Sequence, residues 1–487
     1  MNLSKYKTIT LSKKEEGLRN FILNGNIFWV TLKIGLPIAF FQSLNQIFRL
    51  FDSFMAAGIS SSAASMVSYF GQINLILSGI GLGLAAGSSL KISHAYGEGD
   101  YDLVKKQISS LLALTVGICI VLSLLVVPFS TPLLRLIGTP EEFIQIGRSF
   151  FVIEFISTLV TFCNCVYIAI ERAQGNSKKI LSINLIAMML KFSFTAFCIY
   201  VLQGGVTLIA LSTLLSQCFI TVIAIRNLRG KSDVFKFSLR DVSFKSTILL
   251  PMILISIPIM IERSAFHMGK VVINSMVILY GPLVVGGLGI SNQICGASVS
   301  PQMGMQDASI SVMAQNRGAR NIKRAFNAFK SLLLINLIMA ILLFIPSYLF
   351  ATQITSIFAI GDPVFHDTLL SIYLYDVWGI LPLAVFSSVM ALLFGFGYTK
   401  VTLFMNFCRI FLFRIPILWY IQNYTNSGSE AAGLIMIISN IMVGFLSIGI
   451  AFVTIHRLCK EHRVSFWSWE IKEVKEEIAH HSEHCKT

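Results

Sequence analysis

Asp52 is a carboxylate in an apolar run that extends from about Phe28 to Gly58, and Arg49 stands one helical turn before it. A charged side chain in hydrocarbon costs roughly 3 kcal/mol on insertion scales unless it faces protein or a wet cavity. A residue kept there is equipped to bind a proton or an ion. Asp52 can take up and release a proton, or ligate Na+ beside neutral oxygens. The plainer reading is a standing pair with Arg49 at i,i−3. Glu154 is a second acid of the same half and is read as balancing Arg49 or Lys191. The second half places Glu262, Arg263, His267 and Lys270 in one apolar stretch. Glu262 and Arg263 point about 100° apart on a helix and need not pair. Asp307 and Asp376 follow. Either completes a cation-binding cleft with Glu262 or neutralises Lys270, Arg409 and Arg414, and charge balance is the simpler explanation. Glu262, Asp307, Asp376, Arg49 and Glu154 are thus the candidate lining of a substrate or cation cleft.

The elements that position these residues are membrane helices. Of 487 residues, 55% are hydrophobic and 13% charged, against about a quarter charged in soluble proteins. Twelve apolar stretches approach or exceed the roughly 20 residues a spanning helix needs. They run near 28–56, 67–90, 108–128, 149–170, 180–202, 205–226, 247–279, 284–313, 330–350, 368–394, 401–424 and 431–455. Such continuous runs do not suit the alternating strands of a barrel. An all-α integral membrane protein is expected. With the N-terminus inside, the inner loops hold Lys91, Lys105, Arg172, Lys178, Arg229, Lys236, Arg317, Lys323 and many more, the outer loops only Arg135 and Arg148. The positive-inside rule then puts both termini in the cytoplasm of a multi-pass plasma (inner) membrane protein. The net charge of +14 is spread over these loops and forms no nucleic-acid patch. The first 26 residues are polar and basic, so no cleavable signal is read. Most of the nine cysteines fall inside helices and read as small apolar fillers. The tail motif HHSEHC has metal-ligand residue types in a spacing that suits no structural zinc class, so no metal is assigned. Trp467 and Trp469 suit an interfacial segment.

The chain repeats itself. Pro258 minus Pro37 is 221, and at that offset Arg49 meets Lys270, Gln72 meets Gln293 and Gly83 meets Gly304. The offset drifts to 222 for Lys178 and Lys400 and for Asn184 and Asn406, then to 223 for Ser216 and Ser439. Six spans per half give both halves the same orientation, so two six-helix bundles related by a pseudo-twofold axis along the membrane normal are expected. The reading divides the chain into a cytoplasmic segment 1–27, a first lobe 28–226, a linker 227–246, a second lobe 247–455 and a cytoplasmic tail 456–487. Pro37, Pro258, Pro382 and Pro416 mark bends within helices.

Four stretches carry a resemblance: PIAFFQSLNQIFRLFDSFMAAG, GIGLGLAAGSSLKISHAYGEGDYDLVKK, ERAQGNSKKILSIN and GGVTLIALSTLLSQ, with second-half counterparts MAQNRGARNIKRA and FGFGYTK. In this order and spacing the chain, over about residues 28–455, resembles the multidrug and toxic compound extrusion (MATE) family. The resemblance implies an exporter of small organic, often cationic and amphipathic compounds in exchange for H+ or Na+. It matches Asp52 to the family's ion-coupling aspartate and Thr213 to a hydroxyl of the same site; a helix-packing role for Thr213 is the alternative. Thr195 stands where members commonly carry Asp or Asn, and Lys191 where they commonly carry Asn. A fixed ammonium repels Na+, so H+ is the expected coupling ion. Lys191 and Asp52 then form a switchable pair, or Lys191 snorkels or pairs statically.

The alternative function is a flippase or exporter of a lipid-linked or anionic substrate on the same architecture, which Arg49, Lys191, Lys270, Arg409 and Arg414 keep open. A Walker loop is missing, so no enzyme and no ATP drive is read. The expected partners are a small-molecule substrate and the lipid bilayer, with no nucleic acid, no cofactor beyond the coupling ion, and a monomer as the working unit.

Overall fold

The structure, a computed structural model, describes residues 11–57, 61–136, 139, 141–201, 205–230, 234–359, 362–425 and 427–467. Every regular element among them is helical. Twelve segments are long and apolar enough to cross a membrane. The chain is an all-α multi-pass membrane protein, as its apolar runs predict.

An amphipathic helix, α1 (Lys13–Asn24), comes first. Ser12 and Glu15 start it with a reciprocal cap: the Ser12 N–H donates to the Glu15 carboxylate at 3.0 Å and the Glu15 N–H donates to the Ser12 hydroxyl at 3.4 Å. The first bundle follows as α2 (Ile27–Ala57), α3 (Ser61–Glu98), α4 (Tyr101–Val126), the short α5 (Ser130–Leu136), α6 (Glu141–Ala173), α7 (Ser177–Tyr200) and α8 (Val206–Gly230). The second contains α9 (Ser246–Val277), α10 (Pro282–Gly318), α11 (Ile322–Leu349) and the short α12 (Ala351–Ser356). Its tenth and eleventh spans are broken. The tenth is α13 (Pro363–Asp376) and α14 (Ile380–Phe396), separated by a tight turn at Val377–Gly379. The eleventh is α15 (Thr399–Phe407) and α16 (Ile415–Tyr424), joined by a π-helical turn at Cys408–Arg414. The last span is α17 (Ala431–His462).

The repeat is written into the backbone. Left-handed conformation at Gly99 (φ +88°) recurs at Arg320 (φ 60°), and 320 minus 99 is 221. Gly175 (φ +79°) recurs as Gly397 (φ +83°), and 397 minus 175 is 222. Asp100 and Asn321, again 221 apart, each cap the next helix by accepting the N–H of Leu103 and of Arg324.

The bundles meet through two related crossings, α3 on α9 and α2 on α10. Gly83 lies so close to α9 that a Cβ there would stand 2.5 Å from the Met260 nitrogen. Gly304 lies equally close to α2, its Cβ position 2.6 Å from the Ala39 nitrogen. The two contacts exchange under the repeat: Gly83 plus 221 is Gly304, and Ala39 plus 221 is Met260. Small residues let membrane helices approach at this distance, where packing and not water drives association. Between α8 and α9 the chain docks on the first bundle. Phe235 is buried against the Tyr96 ring at 5.1 Å, the Ser238 and Ser243 N–H groups donate to the Ser109 and Ser110 hydroxyls at 3.3 and 2.9 Å, and Lys105 pairs with Asp241 at 3.1 Å.

Candidate functional site

The densest buried charge lies where the two broken spans meet α17. On an α-helix, residues five apart point about 140° away from each other. In a π turn the ladder closes every five residues instead, as the Ile415 N–H bonding the Ile410 carbonyl shows. Pro416 has no N–H to offer the α-helical partner position, which favours the wider turn. Arg409 and Arg414 therefore reach the same partner. Both donate to the Asn440 side-chain oxygen, at 3.0 and 3.2 Å, and Arg414 also donates to the Ser439 hydroxyl at 3.0 Å. Across from them the break after α13 ends in Gly379, packed so tightly on the Asn440 amide that a Cβ would collide with it. Arg409, Arg414 and Asp376 are 6%, 2% and 6% exposed. The Asp376 carboxylate accepts the Ser291 hydroxyl at 3.0 Å and lies within electrostatic reach of both arginines. Among the described residues no carboxylate forms an ion pair with either guanidinium. The Arg409 guanidinium lies 5.6 and 5.5 Å from the centres of the Phe266 and Phe386 rings, within cation–π range.

The other candidate acids have separate partners. Buried Glu262 accepts the Asn406 amide at 2.7 Å, and Thr402 lies nearby. Asp307 lies between the bundles: Arg172 of α6 pairs with it at 3.4 Å and the Gln42 amide donates to it at 3.5 Å. Glu262, Asp307 and Asp376 are thus held on three different sets of side chains. In the first bundle, Thr195 is buried and its hydroxyl has no partner among the described residues, whereas the Thr213 hydroxyl donates to the Ile209 carbonyl of its own helix at 3.2 Å. Lys191 and Glu154 are partly buried and both engaged. Asp52 and Arg49 belong to α2, but their side chains, like the HHSEHC tail and Trp469, lie outside the described residues. α2 and α7 do adjoin just below Asp52, where the Phe48 and Phe192 rings meet edge to face at 6.0 Å. A cavity of about 160 Å³ between α3, α4, α6 and α9 is lined by Gly81, Leu84, Ile118, Phe162 and Met260 and is too small and too apolar for a cargo site.

One end of the molecule is closed, the end to which α1 belongs. Gly97 of α3 abuts the Gln315 backbone of α10, and Gly318 of α10 abuts the His94 backbone of α3, again 221 apart. The Ser311 hydroxyl donates to the Arg172 carbonyl at 3.0 Å and the Gln315 amide to the Ala173 carbonyl at 2.7 Å. α1 clasps both sides. Arg19 donates to the Tyr96 and Gly97 carbonyls at 3.2 and 3.0 Å, and Arg324 of α11 donates to the carbonyls of Ile22 and Gly25.

This geometry is that of two repeats packed face to face, and a family model matches it twice. The MatE model covers residues 37–197 and again 258–420, and its two starts are 221 apart. The chain belongs to the MatE family. It is a multidrug and toxic compound extrusion (MATE) transporter, not an enzyme. The chain is similar to the probable multidrug resistance protein YoeA of Bacillus subtilis, 24% identical over 326 residues, 65% of this chain and 70% of that protein. It is also similar to an FAD transporter of Shewanella oneidensis, 22% identical over 436 residues, 88% of this chain and 94% of the other. A solved outward-facing conformation of a multidrug resistance MATE family transporter of the MOP superfamily superposes with a TM-score of 0.85 at 19% identity, over 92% of this chain and 99% of that one.

In this MATE transporter the sequence marked both arginines as intramembrane cations but not as a pair, because i,i+5 reads as opposite helix faces. Pro416 was the available clue. Asn440 and Glu171 carried no signal. Buried Glu171 accepts the Lys179 ammonium and the Asn176 amide, each at 3.0 Å, and so ties down the ERAQGNSKK turn.

Proposed function

We propose that the protein exports small organic compounds by alternating access, the two bundles rocking about the α2–α10 and α3–α9 crossings in exchange for H+ rather than Na+. The basic end faces the cytoplasm of the plasma membrane, the lobes are residues 28–226 and 247–455, and one chain is the working unit. The observation that carries the reading is the closure of one end by repeat-related contacts, Gly97 on Gln315 and Gly318 on His94. Two bundles that part at these contacts and close at the opposite end are the arrangement that rocks for alternating access. Coupling is assigned to Asp52, with Lys191 as the cation released when Asp52 is protonated; the adjoining of α2 and α7 at Phe48 and Phe192 supports it. Thr195 and Thr213 are assigned to the same site from the family resemblance. The cargo class is open on two sides, since one relative is a probable multidrug resistance protein and another an FAD transporter.

The test is efflux from proteoliposomes under separate proton and sodium gradients. A proton gradient alone drives wild-type efflux, Asp52→Asn abolishes it, and Lys191→Ala shifts its pH profile. Sodium-driven efflux, or unchanged efflux by Asp52→Asn, would sink the coupling assignment.

A further inference from the structure

We infer that Arg409 and Arg414 form a binding site for an oxyanion, a carboxylate or phosphate carried by the exported compound, inside the second bundle. The inference deepens the export reading and rests on it for the identity of the carrier. A guanidinium is a fork of N–H donors with no acceptor of its own. Among the described residues two such forks, nearly fully buried, find only the Asn440 oxygen, which they share, and the Ser439 hydroxyl. The buried Arg409 Nε has no hydrogen-bond partner among the described residues. Both acceptors are neutral, and the acid in reach, Asp376, is satisfied by Ser291 and also faces Lys270. Two cations against one carboxylate leave an unbalanced positive charge in a span, a costly arrangement unless an anion completes it. A guanidinium fork matches the two oxygens of a carboxylate or phosphate, and no other common side chain does so in the same way. The Phe266 and Phe386 rings beside Arg409 supply aromatic surface for an aromatic body attached to that anion.

The experiment is calorimetric binding to the full-length protein in lipid nanodiscs, with naphthyl phosphate, neutral naphthol and inorganic phosphate as probes. Naphthyl phosphate binds about tenfold or more tightly than naphthol, the scale of one charge-assisted bidentate contact. Arg409→Gln removes that preference. Should Arg409→Gln fail to fold, Asn440→Asp serves instead: a carboxylate built into the chain occupies both forks, raises the thermal unfolding temperature and removes the preference for phosphate. Equal binding of naphthyl phosphate and naphthol, or a preference that survives Asn440→Asp, overturns the site. Inorganic phosphate binding as tightly as naphthyl phosphate overturns the cargo as its source. Binding is read without any gradient, so its failure leaves the efflux test of transport standing, and the reverse.

Discussion

Asn440 accepts from two guanidiniums through one oxygen, and its amide is pressed against Gly379. Removing that oxygen leaves buried charged donors without their shared acceptor. Asn440→Leu is expected to lower stability by about 1–3 kcal/mol, the cost of an unsatisfied buried group, measured as the thermal midpoint in detergent. An unchanged midpoint would mean that water or lipid reaches the arginines. Glycine behaviour separates tight positions from loose ones. Gly379→Ala forces the Asn440 amide aside and should destabilise by about 1–3 kcal/mol. Gly289→Ala, where a Cβ meets nothing within 4 Å, should stabilise by about 0.5–1 kcal/mol, since alanine loses less backbone entropy in a helix. The opposite order of midpoints would refute the packing argument.

At the level of elements, the broken spans carry the chemistry and the intact ones carry the symmetry. The turn at Val377–Gly379 and the π turn at Cys408–Arg414 both face α17 and bury Val377, Gly379, Cys408, Arg409, Ile410 and Arg414 in protein, the setting in which a membrane tolerates irregular backbone. The π turn also packs Ile410 against Gly269 of α9, where a side chain would not fit. The Asp307–Arg172 pair holds α10 to α6 across the bundles. Asp307→Asn is expected to loosen that end by about 1 kcal/mol or less, because both groups keep some solvent. The readout is faster labelling of a cysteine placed at the buried Ser93, whose hydroxyl lies 3.1 Å from that of Ser311. Labelling at the wild-type rate would remove the pair from the closure.

For the whole molecule, the matched contacts at Gly83 and Gly304 predict equivalent effects. Gly83→Leu or Gly304→Leu should each drive the bundles apart, and either should raise Ser93→Cys labelling about tenfold for each 1.4 kcal/mol of lost packing. If one mutant alone responds, the two crossings are not equivalent hinges. The twelve spans and the two-bundle plan were legible in the sequence because apolar length and the 221 offset survive without knowledge of contacts. The three second-bundle acids were legible only as acids. Glu262, Asp307 and Asp376 share a charge type, but Asn406, Arg172 and Ser291 decide what each one does, and those partners are 144, 135 and 85 residues away. The arginine pair was hidden by a local change of helical period, which one mispaired carbonyl near Pro416 is enough to cause.

The clasp by α1 has a consequence for biogenesis. Ile22 is held by Arg324, 302 residues further along the chain. At about 5–20 residues per second, a translating ribosome needs roughly 15–60 s to deliver that arginine after Ile22. During that interval the leading amphipathic segment has half of its dock, at Tyr96 and Gly97, and its apolar stripe must shelter on the bilayer surface until the second repeat has been inserted.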